Sequence, residues 1–229
     1  MENIKTKVFV SITDKDKTER VLKLFRRYRI TYSCSVSGTG TASDSLMSYF
    51  GLSDIKKNVI ISVVPEFLET KIMYDLHNKL NLYEPGNGIC FSLPITSASR
   101  YLSNQYKDLS IPKEEYTMKD EKSYELVVLI VSEGYASVAM DAAKKVGAGG
   151  GTLINGIGLG SKEATKFLGI TIEPEKDVVL ILVDKEEKRK VMEEITHVVG
   201  LSQEGRGICF SIPVDNVVGL SQNIEFLKN

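Results

Sequence analysis

Two glycine-rich turns hold the residues of this chain that could do chemistry. Gly205, Arg206 and Gly207 stand just before a predicted strand, and Gly156 and Gly158 stand at the start of a long loop. Glycine adopts backbone angles that let successive amides line one concave surface, which can bind an anion. The forked guanidinium of Arg206 can hold two phosphate oxygens at once. The pattern predicts a phosphate site, and the alternative is that the glycines only shape turns.

The same pattern occurs twice in the chain. The sequence GNGICFSLP at 86–94 returns as GRGICFSIP at 205–213, a shift of 119 with two changes in nine positions. A repeat of this length has the size of a small domain, so the chain is predicted to be two copies of one fold. The equivalent residues of copy one, which form the weaker candidate site, are Gly38, Gly40, Gly86, Asn87 and Gly88.

Apolar periodicity predicts the same order of elements in each copy. In copy two the predicted elements are strand 125–131, helix 135–146, strand 152–154, strand 177–183, helix 184–199 and strand 208–212. In copy one they are strand 7–12, helix 18–28, strand 31–36, strand 58–64, helix 66–80 and strand 89–93. The order β-α-β-β-α-β is the ferredoxin-like arrangement, an α+β fold whose antiparallel sheet carries helices on one face. We therefore predict two tandem domains, 1–97 and 124–229, joined by a polar linker, 98–123, with at most a short helix.

Composition excludes several classes of function. The 229 residues carry a net charge of −1, so no overall field attracts nucleic acid. No apolar run reaches the roughly 20 residues of a membrane span, so we expect a cytoplasmic protein without membrane insertion. Three cysteines and two histidines lack metal-ligand spacing, and no nucleophile stands beside a base. We expect neither a metal site nor an enzyme, and we expect Cys90 and Cys209 to be core residues.

The glycine run 147–151 resembles a dinucleotide-binding fingerprint only in composition. A true fingerprint follows a strand and opens a helix, whereas this run follows a predicted helix and opens a strand. We interpret it as a helix stop.

At these residues the chain resembles the P-II nitrogen-regulatory protein family, most clearly in copy two. The similar segments are Gly156-Ile157-Gly158, Gly205-Arg206-Gly207 and the entry into the third strand, Glu173 to Val183. The resemblance implies signal transduction by a homotrimer that binds ATP, ADP or another adenine nucleotide in clefts between subunits. It also implies a long loop that docks on a protein target, such as a membrane transporter or a metabolic enzyme. The nucleotide-binding residues it implies are Gly156, Gly158, Lys162, Gly205, Arg206 and Gly207, with Lys166 as another cation for phosphate.

Two departures from the family define an alternative. The family has a lysine directly after its glycine turn, where this chain has Ile89 and Ile208, and copy one has Asn87 where copy two has Arg206. The alternative function is a partner-binding or structural module that has lost nucleotide binding. If nucleotide binding persists, Arg206 predicts that copy two binds the ligand and that copy one supports it or recognises a partner. Three chains could form two rings, or the copies could alternate around one ring.

Overall fold

The chain folds as a mixed α+β protein. The computed structural model describes residues 4–41, 55–107, 109, 116–119, 122–159, 165–167, 170–172, 175–202, 206–220 and 224–228. The first six elements are β1 (Thr6–Asp14), α1 (Thr18–Arg27), β2 (Ser33–Gly40), β3 (Ile55–Pro65), α2 (Glu69–Leu80) and β4 (Ile89–Pro94). The equivalent elements of copy two are β6 (Tyr124–Ser132), α4 (Ala136–Lys145), β7 (Thr152–Ile157), β10 (Glu175–Asp184), α5 (Lys188–Val199) and β11 (Gly207–Pro213).

In the described ranges, six further helices and strands lie between or after the predicted ones, and short 3-10 helices at Lys15–Lys17 and Glu66–Leu68 precede α1 and α2. The six are α3 (Arg100–Gln105), β5 (Tyr116–Lys119), β8 (Thr165–Phe167), β9 (Ile170–Ile172), β12 (Val217–Val218) and β13 (Glu225–Lys228). The linker therefore contains the expected short helix and also a strand, β5, which the sequence did not predict. That strand forms because β13 pairs with it in antiparallel register.

Several predicted boundaries differ from the structure. Strands β2 and β7 continue past positions 36 and 154, so that Gly38, Gly40 and Gly156 lie inside strands and not in loops. The continuation is supported by antiparallel pairing of Gly40 with Thr152 and of Gly156 with Lys176. Helix α5 starts four residues later than predicted, because a turn from 184 to 187 precedes it.

The chain divides into two compact units built from separate segments. Unit 1 comprises Met1–Ser37, Lys57–Tyr124 and Pro213–Asn229, and unit 2 comprises Gly38–Lys56 and Glu125–Ile212. These ranges differ from the predicted 1–97 and 124–229, because the segment after β11 belongs to unit 1 and the end of β2 belongs to unit 2. The tandem-domain boundaries stay a prediction, while the element order and antiparallel pairing are compatible with ferredoxin-like folds.

In unit 1 the strand order is β2, β3, β1, β4, β12, with β1 at the centre. Phe9 of β1 meets Phe25 of α1 edge to face, with ring centroids 6.0 Å apart. Ile72 and Leu76 of α2 join the same buried cluster. Burial of this apolar face of the sheet under α1 and α2 is the main stabilising contribution.

A buried ion network ties the segment after β11 to unit 1. The Lys7 ammonium lies 2.7 Å from the Glu69 carboxylate and 3.1 Å from that of Asp215. Glu69 also accepts hydrogen bonds from the Ser92 hydroxyl and, at 2.7 Å, from the Asn216 amide. Burial alone would lower the pKa of Lys7, but the bonds and charges of the two carboxylates raise it above its usual value. The network holds β12 along the outer side of β4.

In unit 2 the strand order is β11, β6, β10, β7, and the end of β2 pairs with β7. Leu129 of β6 packs against a cluster that contains Ala139 and Ala143 of α4 and Ile195 of α5. The short alanine side chains allow the helix backbone to approach the sheet closely. The glycine run after α4 ends that helix and leads into β7, as predicted. No helix in the described ranges is both long and apolar enough to cross a membrane.

Candidate functional site

The candidate site lies in unit 2, where β6 ends and β11 begins. We call Ser132, Tyr135, Lys176 and Arg206 the second-copy corner. Gly207 holds Arg206 at this place, because its backbone passes very close to β6. A Cβ atom on Gly207 would lie 2.2 Å from the carbonyl oxygen of Ile130, and the φ angle of Gly207 is +143°. The glycine is therefore required for packing, whether or not its amide faces a ligand.

Arg206 is held by one aromatic side chain. Its guanidinium donates a hydrogen bond to the Tyr135 hydroxyl, and its central carbon lies 5.2 Å from the centroid of the Tyr135 ring. Tyr135 itself is fixed because it immediately precedes α4. Among the residues that the structure describes, no carboxylate lies within ion-pair distance of Arg206. The cation is thus positioned by a neutral group and keeps donors for another acceptor.

Lys176 and Ser132 form the other side of the corner. The Lys176 ammonium donates to the Ser132 hydroxyl oxygen at 3.0 Å. Lys176 also pairs across the strands with Gly156, so the base of the long loop reaches the same corner. Because the Ser132 oxygen accepts from lysine, its own proton can point to a further acceptor.

Carboxylates border the corner as well. Asp177 is buried, and it accepts hydrogen bonds from the Gly134 amide at 3.0 Å and from the Asn155 side chain at 3.2 Å. The neighbouring charge of Glu175 is the largest of the causes that raise the pKa of Glu133. The site therefore places two cations beside several acidic groups, one of which is already satisfied by hydrogen bonds.

Unit 1 contains the equivalent corner with different chemistry. We call Asp14, Lys17, Lys57 and Asn87 the first-copy corner. The Asp14 carboxylate lies 2.9 Å from the Lys17 ammonium and 2.5 Å from the Lys57 ammonium. Lys17 also donates to the side-chain oxygen of Asn87 at 2.7 Å, and Lys57 donates to the carbonyl of Gly86 at 3.2 Å. Burial raises the pKa of Asp14, but the bonds and charges of both lysines outweigh it and lower the pKa.

The structure brings together part of the predicted site. Arg206 and Gly207 lie at the second-copy corner, Gly156 pairs along the strands with Lys176 of that corner, and Gly158 follows β7 as a half-buried residue. Lys162 and Gly205 lie outside the described residues, as does the side chain of Lys166 in β8.

The copy-one candidates fall into different units. Gly86, Asn87 and Gly88 belong to unit 1, whereas Gly38 and Gly40 belong to unit 2. Gly88 resembles Gly207 in its packing, since a Cβ there would lie 2.6 Å from the carbonyl oxygen of Ile12.

Sequence reasoning missed three side chains of this corner. Ser132 ends β6, Tyr135 precedes α4 and Lys176 lies in β10, and none of them belongs to the two glycine motifs from which the site was predicted. The signal was present in the repeat, because a shift of 118 relates Ser132 to Asp14 and Tyr135 to Lys17. A comparison of the residue types at these positions would have shown a change of charge.

The core role predicted for two cysteines is confirmed for Cys90, whereas Cys209 is only half-buried against the core cluster of unit 2. Cys90 is fully buried, and burial raises the pKa of its thiol to about 12. Burial likewise raises the pKa of Cys209 to about 11. Within the described residues, no group of three or more His, Cys, Asp or Glu side chains could hold a metal ion.

Comparisons with known proteins give only weak likenesses. No protein-family model matches the chain, and no curated protein sequence matches it. Among solved structures, Arabidopsis thaliana PII bound to citrate has a TM-score of 0.32 and 21% identity, covering 42% of this chain and 78% of that chain. An unknown protein from Galdieria sulphuraria has a TM-score of 0.29 and 14% identity, covering 92% of this chain and 99% of that chain. PII is thus a weak structural neighbour, and scores of this size do not place the chain in a family.

Proposed function

We propose that the protein is a P-II-like regulatory protein that binds an adenine nucleotide at the second-copy corner. In this proposal the nucleotide lies in a cleft between the subunits of a homotrimer, and the loop after β7 controls a protein partner in the cytoplasm. The observation that carries the proposal is Arg206, a cation held on Tyr135 without a carboxylate partner in the described part of the chain. A phosphate group would supply the acceptors that its guanidinium can still use.

Two exposed apolar side chains support a protein partner for the loop. Ile157, the last residue of β7, is 66% exposed, and Leu159, in the loop that follows, is 86% exposed; the two flank Gly158. Large apolar side chains in water at the base of a binding loop favour contact with another protein. Ligand at the corner could change the loop because Gly156 pairs with Lys176, whose side chain contacts Ser132.

The test is a nucleotide titration followed by calorimetry and thermal unfolding. We expect ATP or ADP to stabilise the protein by about 2.7 kcal/mol at 100 times its Kd. Arg206→Gln should weaken binding about 10-fold to 100-fold, because a hydrogen bond to a charged group contributes about 1.5–3 kcal/mol. Arg189→Gln is the matched control, since Arg189 is an exposed arginine of the same unit that pairs with Glu193. Equal affinities for both variants would contradict the proposal.

The alternative is a partner-binding module of the same fold without a nucleotide. Ile208, in place of a cation after the glycine turn, favours it. The alternative predicts that ATP, ADP and AMP leave the unfolding temperature unchanged at millimolar concentration. Light scattering of the same samples gives the mass of the assembly, and a mass other than that of three chains would contradict the trimer.

A further inference from the structure

The two corners occupy the same place in the repeated fold. Strands β1 and β6 both have nine residues, and they end at Asp14 and Ser132 respectively. The glycine turn packs against the same carbonyl in each copy, Gly88 against Ile12 and Gly207 against Ile130. The corners can therefore be compared position by position, as two variants of one site within one chain.

Three side chains change between the corners, and the changes are complementary. Asp14 becomes Ser132 at the strand end, Lys17 becomes Tyr135 before the helix, and Asn87 becomes Arg206 in the turn. A lysine remains on the third strand in both copies, and it contacts the strand-end residue each time, Lys57 at 2.5 Å and Lys176 at 3.0 Å.

From unit 1 to unit 2, one cation moves from the position before the helix to the glycine turn, and one carboxylate is lost at the strand end. In unit 1 the cation before the helix is fixed by two acceptors of its own corner, Asp14 and Asn87. In unit 2 the cation is Arg206 of the glycine turn, and it donates a hydrogen bond to the neutral Tyr135 hydroxyl. A carboxylate bound by two lysines in unit 1 is replaced by a hydroxyl, which is smaller and carries no charge.

We propose that Asp14 supplies in unit 1 the oxyanion that an external ligand supplies beside Arg206 and Ser132 in unit 2. The first-copy corner is thereby permanently filled by its own chain, and each chain binds one anion. The ligand group is a phosphate or carboxylate, which accepts from the Arg206 fork and from the Ser132 hydroxyl. This inference depends on the proposed function in one respect, the identity of the natural ligand, which would be the phosphate of the nucleotide.

The hydrogen-bond directions support this assignment. The Lys176 ammonium donates to the Ser132 oxygen, so the Ser132 proton is directed away from the lysine. Arg206 uses one nitrogen for the Tyr135 hydroxyl, and a guanidinium has five N–H donors in total. Ser132 and Arg206 thus each keep a donor for an external acceptor, whereas in the first-copy corner the Asp14 oxygens accept from both lysines.

The test is calorimetry on the full chain with inorganic phosphate and with ATP. We expect one site per chain in the wild type. Ser132→Asp should weaken binding of both ligands at least 10-fold, because it restores the internal carboxylate. Ser132→Ala is the matched control and should weaken binding only a few-fold, since it removes a hydroxyl without adding charge. Asp14→Ser should create a second phosphate site and raise the stoichiometry to two.

The outcomes separate this inference from the proposed function. If ATP binds the wild type and Ser132→Asp equally well, the nucleotide proposal stands and the inference is overturned. If phosphate binds as expected but ATP binds no more tightly, the inference stands and nucleotide sensing fails. Two sites per wild-type chain, or binding of neither ligand, would overturn the inference. If Asp14→Ser unfolds, Asp14→Asn can replace it in the measurement of phosphate sites per chain. A folded variant of either kind that still binds only one phosphate per chain would overturn the inference.

Discussion

The space around Gly207 decides which side chains its turn can accept. Gly207 approaches the Ile130 carbonyl so closely that no other residue fits without movement of the backbone. The same constraint fixes Arg206 beside the end of β6. A turn that is required for packing therefore also sets the position of the cation on which binding depends.

Substitution of Gly207 tests this constraint. Gly207→Ala should lower the free energy of unfolding by about 1–3 kcal/mol or more, because the Cβ meets backbone atoms and the φ angle is positive. Gly149→Ala is the matched control, since a Cβ there would have nothing within 4 Å. Urea denaturation of both variants measures the difference, and equal stability would show that β6 moves aside without cost.

At the scale of elements, unit 1 depends on a contact between α2, β1, β4 and the segment that leads to β12. Glu69 is the centre of this contact, with its side chain 4% exposed. A buried ion pair adds little stability relative to apolar residues, but the loss of one partner leaves a buried charge without compensation. The segment from 213 to 218 is therefore fixed by electrostatics as well as by strand pairing.

Removal of the Glu69 carboxylate should be costly for this reason. Glu69→Ala should lower the free energy of unfolding by about 3–5 kcal/mol, because Lys7 loses its nearest counter-charge. Glu193→Ala is the matched control, since Glu193 forms an exposed pair with Arg189 and should cost less than about 1 kcal/mol. Chemical denaturation compares them, and a small loss for Glu69→Ala would mean that Asp215 alone compensates Lys7.

The elements themselves could be predicted from the sequence, because long apolar patterns such as those of β6 and α4 decide them locally. The short strands could not, since β5 and β12 form only through pairing with distant β13 and β4. The glycines and Arg206 of the candidate site were visible as a motif. Tyr135 and Lys176 were not, because the fold alone brings Tyr135 to Arg206 and Lys176 to Ser132.

At the scale of the whole molecule, each compact unit contains segments from both copies of the repeat. Unit 1 includes Pro213–Asn229 from the end of the chain, and unit 2 includes Gly38–Lys56 from copy one. Stability is therefore shared between the copies along the chain, and either half made alone lacks part of a unit.

Truncation tests this organisation. A chain that ends at residue 212 should unfold at least about 3 kcal/mol more easily, because it loses β12 and the bonds of Asp215 and Asn216 to the buried network. A chain that ends at Leu220 retains them and loses only β13, so we expect an intermediate stability. Thermal and urea unfolding rank the three proteins. Identical midpoints for the full chain and the shortest one would contradict the assignment of this segment to unit 1.

The segment after β11 also constrains how the gene can change. A recombination event that deleted either repeat would remove the edge strand or the loop base on which the other repeat depends. Such a deletion would yield an incomplete protein and not an ancestral single-copy one. Deletion of either repeat is therefore expected to destabilise the part of the chain that remains.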